Sequence, residues 1–280
     1  MLGRLRRRTA PAWPAVRVVG AVLSLVVVAA VAVAAVRNLG DASLDWRWLA
    51  PAVAGALVWW LLLARAWSVL AAGIATGSDM RTWYRTQALR YLPGGIWAPV
   101  SRVAIAGGRP VDRISTVTAE NVISLGAALA VGGVALAVSR SPAWVLLLLL
   151  PGVPVLATAV TRRVTRLSPD RVVAVTTANL VAFLGYAVAA VFAQAAVSGL
   201  DHGVLAVAGA AAVAWAAGLV AVFSPGGFGV RELTYLALAT GTVPRAEAVT
   251  ASVALRAVTV IVELGVLAVV AWPAATDRGT

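Results

Sequence analysis

The chain has 280 residues, of which 61% are hydrophobic and 12% charged, and its formal net charge is +12. This composition is typical of a polytopic membrane protein and excludes an ordinary soluble domain. There is no cysteine and a single histidine, His202, which excludes disulfides, thiolate catalysis and a histidine-rich metal site, so we expect no cofactor. All 23 basic residues are arginines, mainly in short loops, which favours orientation in the membrane and anionic headgroups over nucleic acid.

Apolar windows of about 20 residues predict seven membrane spans. They are 16–36, 48–72, 114–138, 143–161, 171–197, 203–223 and 246–272. The first run follows a basic tail, 1–15, and is longer than the apolar core of a signal peptide, so we expect a retained helix. The predicted fold is an all-α integral membrane bundle, a single transmembrane domain over residues 1–280.

The positions of arginine and tryptophan predict the orientation. If the spans alternate, the basic tail, the 73–113 region and the loop after residue 161 share one side, which the positive-inside rule makes cytoplasmic. Trp46 and Trp144 then fall at the opposite rim, where interfacial tryptophans are typical. We therefore expect a multi-pass protein of the cytoplasmic membrane, with its amino terminus inside and its carboxyl terminus outside.

Two apolar segments, 91–108 and 223–241, are each broken by Pro-Gly-Gly and are too short on either side of the break to span a membrane. They predict two re-entrant hairpins, which are tolerated only where protein or a watery cavity satisfies the freed backbone groups. Ordinary surface loops are the alternative. Residues 75–91 are predicted to form an interfacial amphipathic helix, because burying Arg81 or Arg85 would cost about 3 kcal/mol each.

The two Pro-Gly-Gly triplets lie 132 residues apart, and the same offset carries the span after the first hairpin onto the last span. This predicts an internal repeat, with one copy at about 16–140 and the other at about 143–272. Interrupted apolar segments at matching positions are typical of transporters whose binding site lies between the repeats. Loop charge favours both hairpins on the cytoplasmic side, whereas an inverted repeat requires opposite sides, and the sequence leaves this open.

The motif SPGGFGVRE, with RYLPGG upstream, ARAW in the second span and VALRAV in the last, resembles the lysylphosphatidylglycerol synthase transmembrane family. The resemblance implies a lipid flippase region and covers most of the chain. The first hairpin departs from the family pattern, because Trp97 and Pro99 stand where the family tends to have glycine and an acidic residue. We find no long soluble segment for an aminoacyltransferase domain, so the resemblance implies translocation without lipid aminoacylation.

The chemistry of this motif suits an anionic headgroup. Its glycines permit a tight turn and a close backbone approach, and a half-helix starting near Val230 would aim free N–H groups and a positive dipole end at a phosphate. Arg231 adds a planar fork that fits a phosphodiester, and Glu232 either pairs with it or grips a cationic headgroup. The alternative is that both charges only lock the fold.

Four more charges lie inside predicted spans: Arg65, Glu120, Arg256 and Glu263. Charges at membrane depth normally face a cavity or each other. Arg256 and Glu263 are seven residues apart, so they share a helix face and predict a polar pathway. Glu120 and Arg256 lie at similar places in the two repeats, which predicts an ion pair. Structural locking and contact with a headgroup both stay open.

Three other polar side chains are given structural roles. Arg102 is expected to snorkel to the interface, and Asn179 and Gln194 are expected to hydrogen-bond between helices. Helix faces made of small residues suit packing against other helices of the same chain or against another protein. A homo-oligomer, a partner lipid-modifying enzyme and a scaffold role therefore stay open.

The function predicted is translocation of a phospholipid or lipid-linked headgroup without ATP hydrolysis, since no phosphate-binding loop motif is present. The alternative is an integral-membrane enzyme acting on a lipid phosphate, which the singly scattered acidic residues disfavour. The predicted substrate-binding residues are Pro93, Gly94, Gly95, Pro225, Gly226, Gly227, Gly229, Arg231, Glu232, Arg65, Glu120, Arg256 and Glu263.

Overall fold

A computed structural model describes residues 44–72, 80–92, 97–105, 109–143, 168–200, 203–221 and 224–271. Over these ranges the chain is helical and forms no β-strand, apart from an isolated bridge between Thr240 and Val243. Four of the helices are long and apolar enough to cross a membrane. The prediction of an all-α membrane protein is therefore confirmed at the level of fold class.

The described residues form eight α-helices, which we number in chain order. They are α1 (Leu49–Ala71), α2 (Met80–Gln87), α3 (Trp97–Ile105), α4 (Pro110–Ser139), α5 (Pro169–Ser198), α6 (Val204–Val220), α7 (Val230–Ala239) and α8 (Arg245–Ala271). Short 3-10 turns cover Trp46–Trp48, Ala88–Tyr91 and Pro225–Gly227. The four candidate spans are α1, α4, α5 and α8.

Four predicted spans match these long helices to within a few residues: 48–72, 114–138, 171–197 and 246–272. The predicted span 203–223 corresponds to α6, which has only 17 residues. At about 1.5 Å per residue it is roughly 26 Å long, less than the ~30 Å hydrocarbon core, so it is a shorter apolar helix. The predicted spans 16–36 and 143–161 lie outside the described residues, except for Ala143.

Small residues let the long helices pack closely. A Cβ on Gly55 of α1 would lie 2.6 Å from the carbonyl oxygen of Gly185 on α5, and a Cβ on Gly132 of α4 would lie 3.1 Å from that of Gly209 on α6. Such close approach is how helices associate in a membrane, where burial of apolar surface alone gives little driving force.

The predicted hydrogen bonds between helices are confirmed. Ser124 Oγ on α4 donates to Asn179 Oδ1 on α5 (2.8 Å), and Tyr235 OH on α7 donates to Gln194 Oε1 on α5 (3.1 Å). These bonds satisfy polar groups that would otherwise be costly to bury. They tie α5 to both α4 and α7.

Large aromatic rings fill the centre of the bundle. Trp59 and Trp60 of α1, Trp83 of α2, Phe183 of α5 and Trp215 of α6 are all buried and contact one another through tilted or edge-on ring pairs. The sequence-based interpretation considered tryptophan only as an interfacial residue. These tryptophans instead pack in the core, and Trp60, Trp83 and Trp215 also line the cavity described below.

One end of the bundle is defined by contacts between loops. Asp45 N donates to Ala196 O (2.9 Å) near the end of α5, and α6 follows α5 after a short loop. A Cβ on Gly203, just before α6, would lie 2.6 Å from Thr242 Cγ2, and Arg140, after α4, donates to Thr242 Oγ1. We call this the Asp45 end: α1, α6 and α8 begin there, and α4, α5 and α7 end there.

Two helical hairpins open toward opposite ends of α4. The first comprises α2, the turn at 88–91 and α3; it opens at the start of α4, where Arg113 Nη1 donates to Val103 O (3.0 Å). The second comprises α6, the turn at 224–229 and α7, and it opens at the Asp45 end. Their tips meet where the rings of Tyr91 and Phe228 lie 6.3 Å apart. Loop charge favoured the same side for both hairpins, and the contacts give opposite ends.

The direction of α8 corrects the predicted topology. Because α6 and α7 return the chain to the Asp45 end, α8 starts where α1 starts, and the two helices run in the same direction. The predicted topology had these helices running in opposite directions, with the carboxyl terminus outside and the amino terminus inside. That relative direction is wrong, because α6 was counted as a complete crossing.

The amphipathic character predicted for 75–91 is confirmed over α2. Trp83 and Tyr84 are buried against the core, whereas Arg81 and Arg85 are exposed. The helix therefore avoids the cost of burying either arginine.

Candidate functional site

The turn before α7 has the backbone that its glycines predicted. Gly226, Gly227 and Gly229 have φ values of 58°, 75° and 78°, a region that residues with a Cβ rarely adopt. Gly227 N donates to Ser224 O (3.1 Å), and α7 begins at Val230, as predicted. The turn ends α6 and reverses the chain inside the bundle.

Glu232 caps α7 instead of pairing with Arg231. Its Oε2 accepts a hydrogen bond from Gly229 N (2.7 Å), so a carboxylate of the chain itself already occupies the positive end of this helix. Of the two roles considered for Glu232, pairing with Arg231 is therefore not seen in the structure. An anion would have to bind through side chains beside the helix end.

Arg231 is a buried guanidinium group without an anionic partner among the residues that the structure describes. Only 9% of the residue is exposed, its Cζ lies 5.5 Å from the ring centroid of Trp215, and its Nε is buried without a hydrogen bond. Among the described residues no acceptor is bonded to it. Since an uncompensated buried charge costs several kcal/mol, this group would be stabilised by an anion.

Two glycines make room for this arginine. A Cβ on Gly227 would lie 2.7 Å from Arg231 Nε, and a Cβ on Gly218 of α6 would overlap the middle of the same side chain. The space in front of Gly227 is thus filled by Arg231 and by the α6 backbone. Gly227 thus leaves room for the arginine, and the direct backbone approach to a ligand stays a prediction.

Arg231 faces a cavity of about 240 Å³ between the two hairpins. The other charged residues on the wall are Arg90, Arg102 and Glu120. The remaining wall is largely aromatic or small, including Trp60, Trp83, Trp215, Gly218, Gly226 and Gly227. Positive groups from both hairpins therefore converge on one cavity.

Glu120 pairs with Arg102 on one side of this cavity. Its Oε1 accepts from Arg102 Nη1 (2.9 Å) and from Trp83 Nε1 (2.6 Å), while Oε2 is buried without a partner among the described residues. The predicted Glu120–Arg256 pair is therefore wrong. Arg102 is only 2% exposed, so the prediction that it snorkels to the interface is also wrong. The short helix α3 turns it inward.

Arg256 and Glu263 of α8 hold the two hairpin tips. Arg256 Nη2 donates to Gly226 O (2.9 Å), and its Cζ lies 4.0 Å from the ring centroid of Phe228. Glu263 accepts hydrogen bonds from Arg90 and from Tyr91 OH. Both residues lie on one face of α8, as their spacing predicted, and each ties α8 to a different tip.

The remaining predicted site residues are Arg65, Pro225 and the first Pro-Gly-Gly triplet. Arg65 is exposed on α1, where its Nη1 bonds Ser68 Oγ (3.3 Å), so it is not part of the cavity. Pro225 belongs to the 3-10 turn of the second tip. Pro93, Gly94 and Gly95 lie outside the described residues.

Arg90, Tyr91 and Trp83 are site residues that the sequence-based prediction missed. Arg90 Cζ lies 4.8 Å from the Trp60 ring centroid and pairs with Glu263. The available signal was the position of Arg90 and Tyr91, separated only by Leu92 from the first Pro-Gly-Gly, where a turn inside the bundle would bury them.

Positive groups outnumber negative groups around the cavity and the hairpin tips. The guanidinium groups of Arg90, Arg102, Arg231 and Arg256 are largely buried, and the carboxylates of Glu120 and Glu263 neutralise two of them. Each guanidinium also lies over an aromatic ring, which lowers but does not cancel the cost of burial. The cavity is thus suited to an anion.

Comparison with known protein families, with curated proteins and with solved structures returned no match.

Proposed function

We propose that this protein is a lipid translocase, which moves a phospholipid or a lipid-linked headgroup across the cytoplasmic membrane without hydrolysing ATP. One observation carries the proposal: Arg231 is buried, lacks an anionic partner among the described residues and faces a cavity between two hairpins. A phosphate group of a lipid is the anion most available to a site inside a membrane bundle. Its oxygens match the planar fork of a guanidinium.

In this proposal the hairpins are re-entrant and belong to an inverted repeat. Adding 132 to the bounds of α3 gives 229–237, close to α7 at Val230–Ala239, and the two hairpins open toward opposite ends of α4. Inverted repeats with broken helices bind their substrates where the repeats meet, and one repeat rocks against the other to alternate access. The meeting point here is the arginine-lined cavity.

The size of the cavity limits what enters it. Its volume of about 240 Å³ is below the ~300–1,000 Å³ of pockets that enclose whole small molecules. We infer that it takes the phosphate and part of the headgroup, while the acyl chains stay in the bilayer. The resemblance of SPGGFGVRE to the lysylphosphatidylglycerol synthase transmembrane family supports the same class of function.

The test is a transport assay in vesicles containing the purified protein. A fluorescent phospholipid is placed in both leaflets, and dithionite added outside quenches the molecules that reach the outer leaflet. The lipid is then extracted, and its molecular mass is measured by mass spectrometry. Transbilayer movement with unchanged lipid mass, lost in Arg231→Ala, supports the proposal. A changed lipid mass would indicate an enzyme acting on the lipid, and the absence of both movement and conversion with several anionic lipids would overturn the proposal.

A further inference from the structure

Glu120 has one carboxylate oxygen that no described group satisfies. Oε1 accepts both hydrogen bonds, from Trp83 on α2 and from Arg102 on α3, whereas Oε2 is buried without a donor. Glu120 lines the same cavity as Arg231 and is 9% exposed. A buried oxygen without a donor is costly, and a bound proton would turn it into a hydrogen-bond donor.

The charged groups around Glu120 come from several elements. Arg102 on α3 pairs with it, and Arg90 at the first tip and Arg231 on α7 share the cavity wall. Farther away, Glu263 and Arg256 on α8 and Tyr91 form the tip contacts, and Tyr186 on α5 interacts with Arg231. Around this cavity, α1 and α6 contribute only groups without charge, among them Trp60, Leu63, Trp215 and Gly218. Glu120 is thus the one carboxylate on the described wall.

An anion in this cavity would lie close to the Glu120 carboxylate. Two negative charges close together in a small cavity repel each other, and protonation of the carboxylate removes the repulsion. Neutral Glu120 still accepts from Trp83 and Arg102 through Oε1, and its new O–H can donate to the anion. Binding of the anion and binding of the proton therefore favour each other, and the coupling is reciprocal.

We propose that the cavity binds a phosphodiester monoanion together with one proton, and that Glu120 Oε2 is the proton acceptor. This inference rests on the anion site of the proposed translocase and adds its coupling to protons. The anion and the proton would move as a neutral pair, so a pH gradient across the membrane would drive the lipid in the direction of proton flow. No covalent bond is made or broken besides the O–H bond.

Calorimetry with diethyl phosphate tests the coupling directly. This phosphodiester keeps one negative charge from about pH 5.5 to about pH 8, so any pH dependence of binding arises from the protein. For the protein in nanodiscs we expect the Kd to rise up to about tenfold per pH unit, the limit for one coupled proton. Repeating the titration in two buffers of different ionisation enthalpy should show uptake of up to one proton per anion.

Variants locate the proton and the anion. Glu120→Gln should bind diethyl phosphate tightly and with no pH dependence, whereas Asp170→Asn, a matched change at an exposed position on α5, should keep the wild-type profile. Arg231→Ala should abolish binding. Retained binding in Arg231→Ala would place the probe elsewhere and overturn the assignment.

The outcomes separate this inference from the proposed function. Anion binding that does not depend on pH and takes up no proton would overturn the coupling and leave the anion site intact. If neither the wild-type protein nor Glu120→Gln binds diethyl phosphate, the anion site itself is overturned. If Glu120→Gln fails to fold, the proton count of the wild-type protein still decides.

Discussion

Tyr91, at the tip of the first hairpin, packs against Gly226, at the tip of the second: a Cβ on Gly226 would lie 3.0 Å from Tyr91 Cδ1. The hydroxyl of the same tyrosine donates to Glu263 on α8. The hairpins open toward opposite ends, and in the proposed translocase this contact would lie where access from the two ends meets. The stability of the tips should therefore depend on one phenolic hydroxyl.

We expect Tyr91→Phe to lower the free energy of unfolding by roughly 1.5–3 kcal/mol, the range for a hydrogen bond to a charged group. Tyr84→Phe is the matched control, because Tyr84 OH is buried without a partner among the described residues, and its removal should be neutral or stabilising. Thermal unfolding in detergent measures both. An equal effect of the two changes would mean that the Tyr91–Glu263 bond contributes no specific stability.

Gly218 tests whether Arg231 needs the room that α6 leaves for it. In a helix, Gly→Ala normally adds about 1 kcal/mol of stability, but at Gly218 the new methyl group would overlap the Arg231 side chain. We expect Gly218→Ala to cost about 1–3 kcal/mol and to reduce lipid movement at least tenfold. Gly265→Ala on α8, where a Cβ meets nothing within 4 Å, should be stabilising and active. Wild-type transport in a stable Gly218→Ala protein would contradict this placement of Arg231.

The ion pair between Arg102 and Glu120 should be visible in a double-mutant cycle. Arg102→Met strands a buried carboxylate and should cost about 3–5 kcal/mol, whereas adding Glu120→Met should restore most of the stability. The same cycle at Arg109 and Asp112, which also form an ion pair, should give a coupling energy of only about 0–1 kcal/mol because Arg109 is exposed. Additive losses in the buried pair would show that the two side chains are not coupled.

The parts of the fold that could be predicted are those that the local amino-acid pattern determines. A run of about 20 apolar residues is a helix in a membrane whatever its neighbours, so α1, α4, α5 and α8 were placed to within a few residues. The same holds for the turn at Gly226 to Gly229, because positive φ is a property of the glycines themselves. Both predictions needed no knowledge of tertiary contacts.

The pairing of the buried charges could not be predicted, because it depends on the paths that the short helices take against the long ones. Arg102 near a helix end has the same sequence pattern whether it snorkels to the interface or turns inward. Only the path of α3 back along α4 brings it to Glu120. The direction of α8 was missed for a related reason. The composition of α6 is that of a membrane span, but the helix has only 17 residues, and α7 then brings the chain back to the end where α6 began.

Cysteine labelling in intact cells tests the revised topology. With the amino terminus inside, a cysteine at Ser139, at the Asp45 end, should react with an impermeant reagent, and one at Thr165 should not. A cysteine at Thr280 should also be protected, because α8 runs from the Asp45 end toward the other end; the sequence-based topology predicts labelling there. Labelling of Thr280 together with Ser139 would contradict the direction assigned to α8.

The last prediction concerns Arg231, which distinguishes a binding site from a packing device. Arg231→Lys keeps the charge and loses the planar fork, so we expect lipid movement to fall severalfold, while Arg231→Ala should nearly abolish it. Arg85→Lys and Arg85→Ala, at an exposed position on α2, are the matched controls and should transport at the wild-type rate. Each variant must first elute as a single species in detergent. Because Arg231 is a buried charge with no ion-pair partner in the described part of the chain, Arg231→Ala should be no less stable than the wild type. A well-folded Arg231→Ala protein that moves lipid at the wild-type rate would show that the arginine serves packing alone.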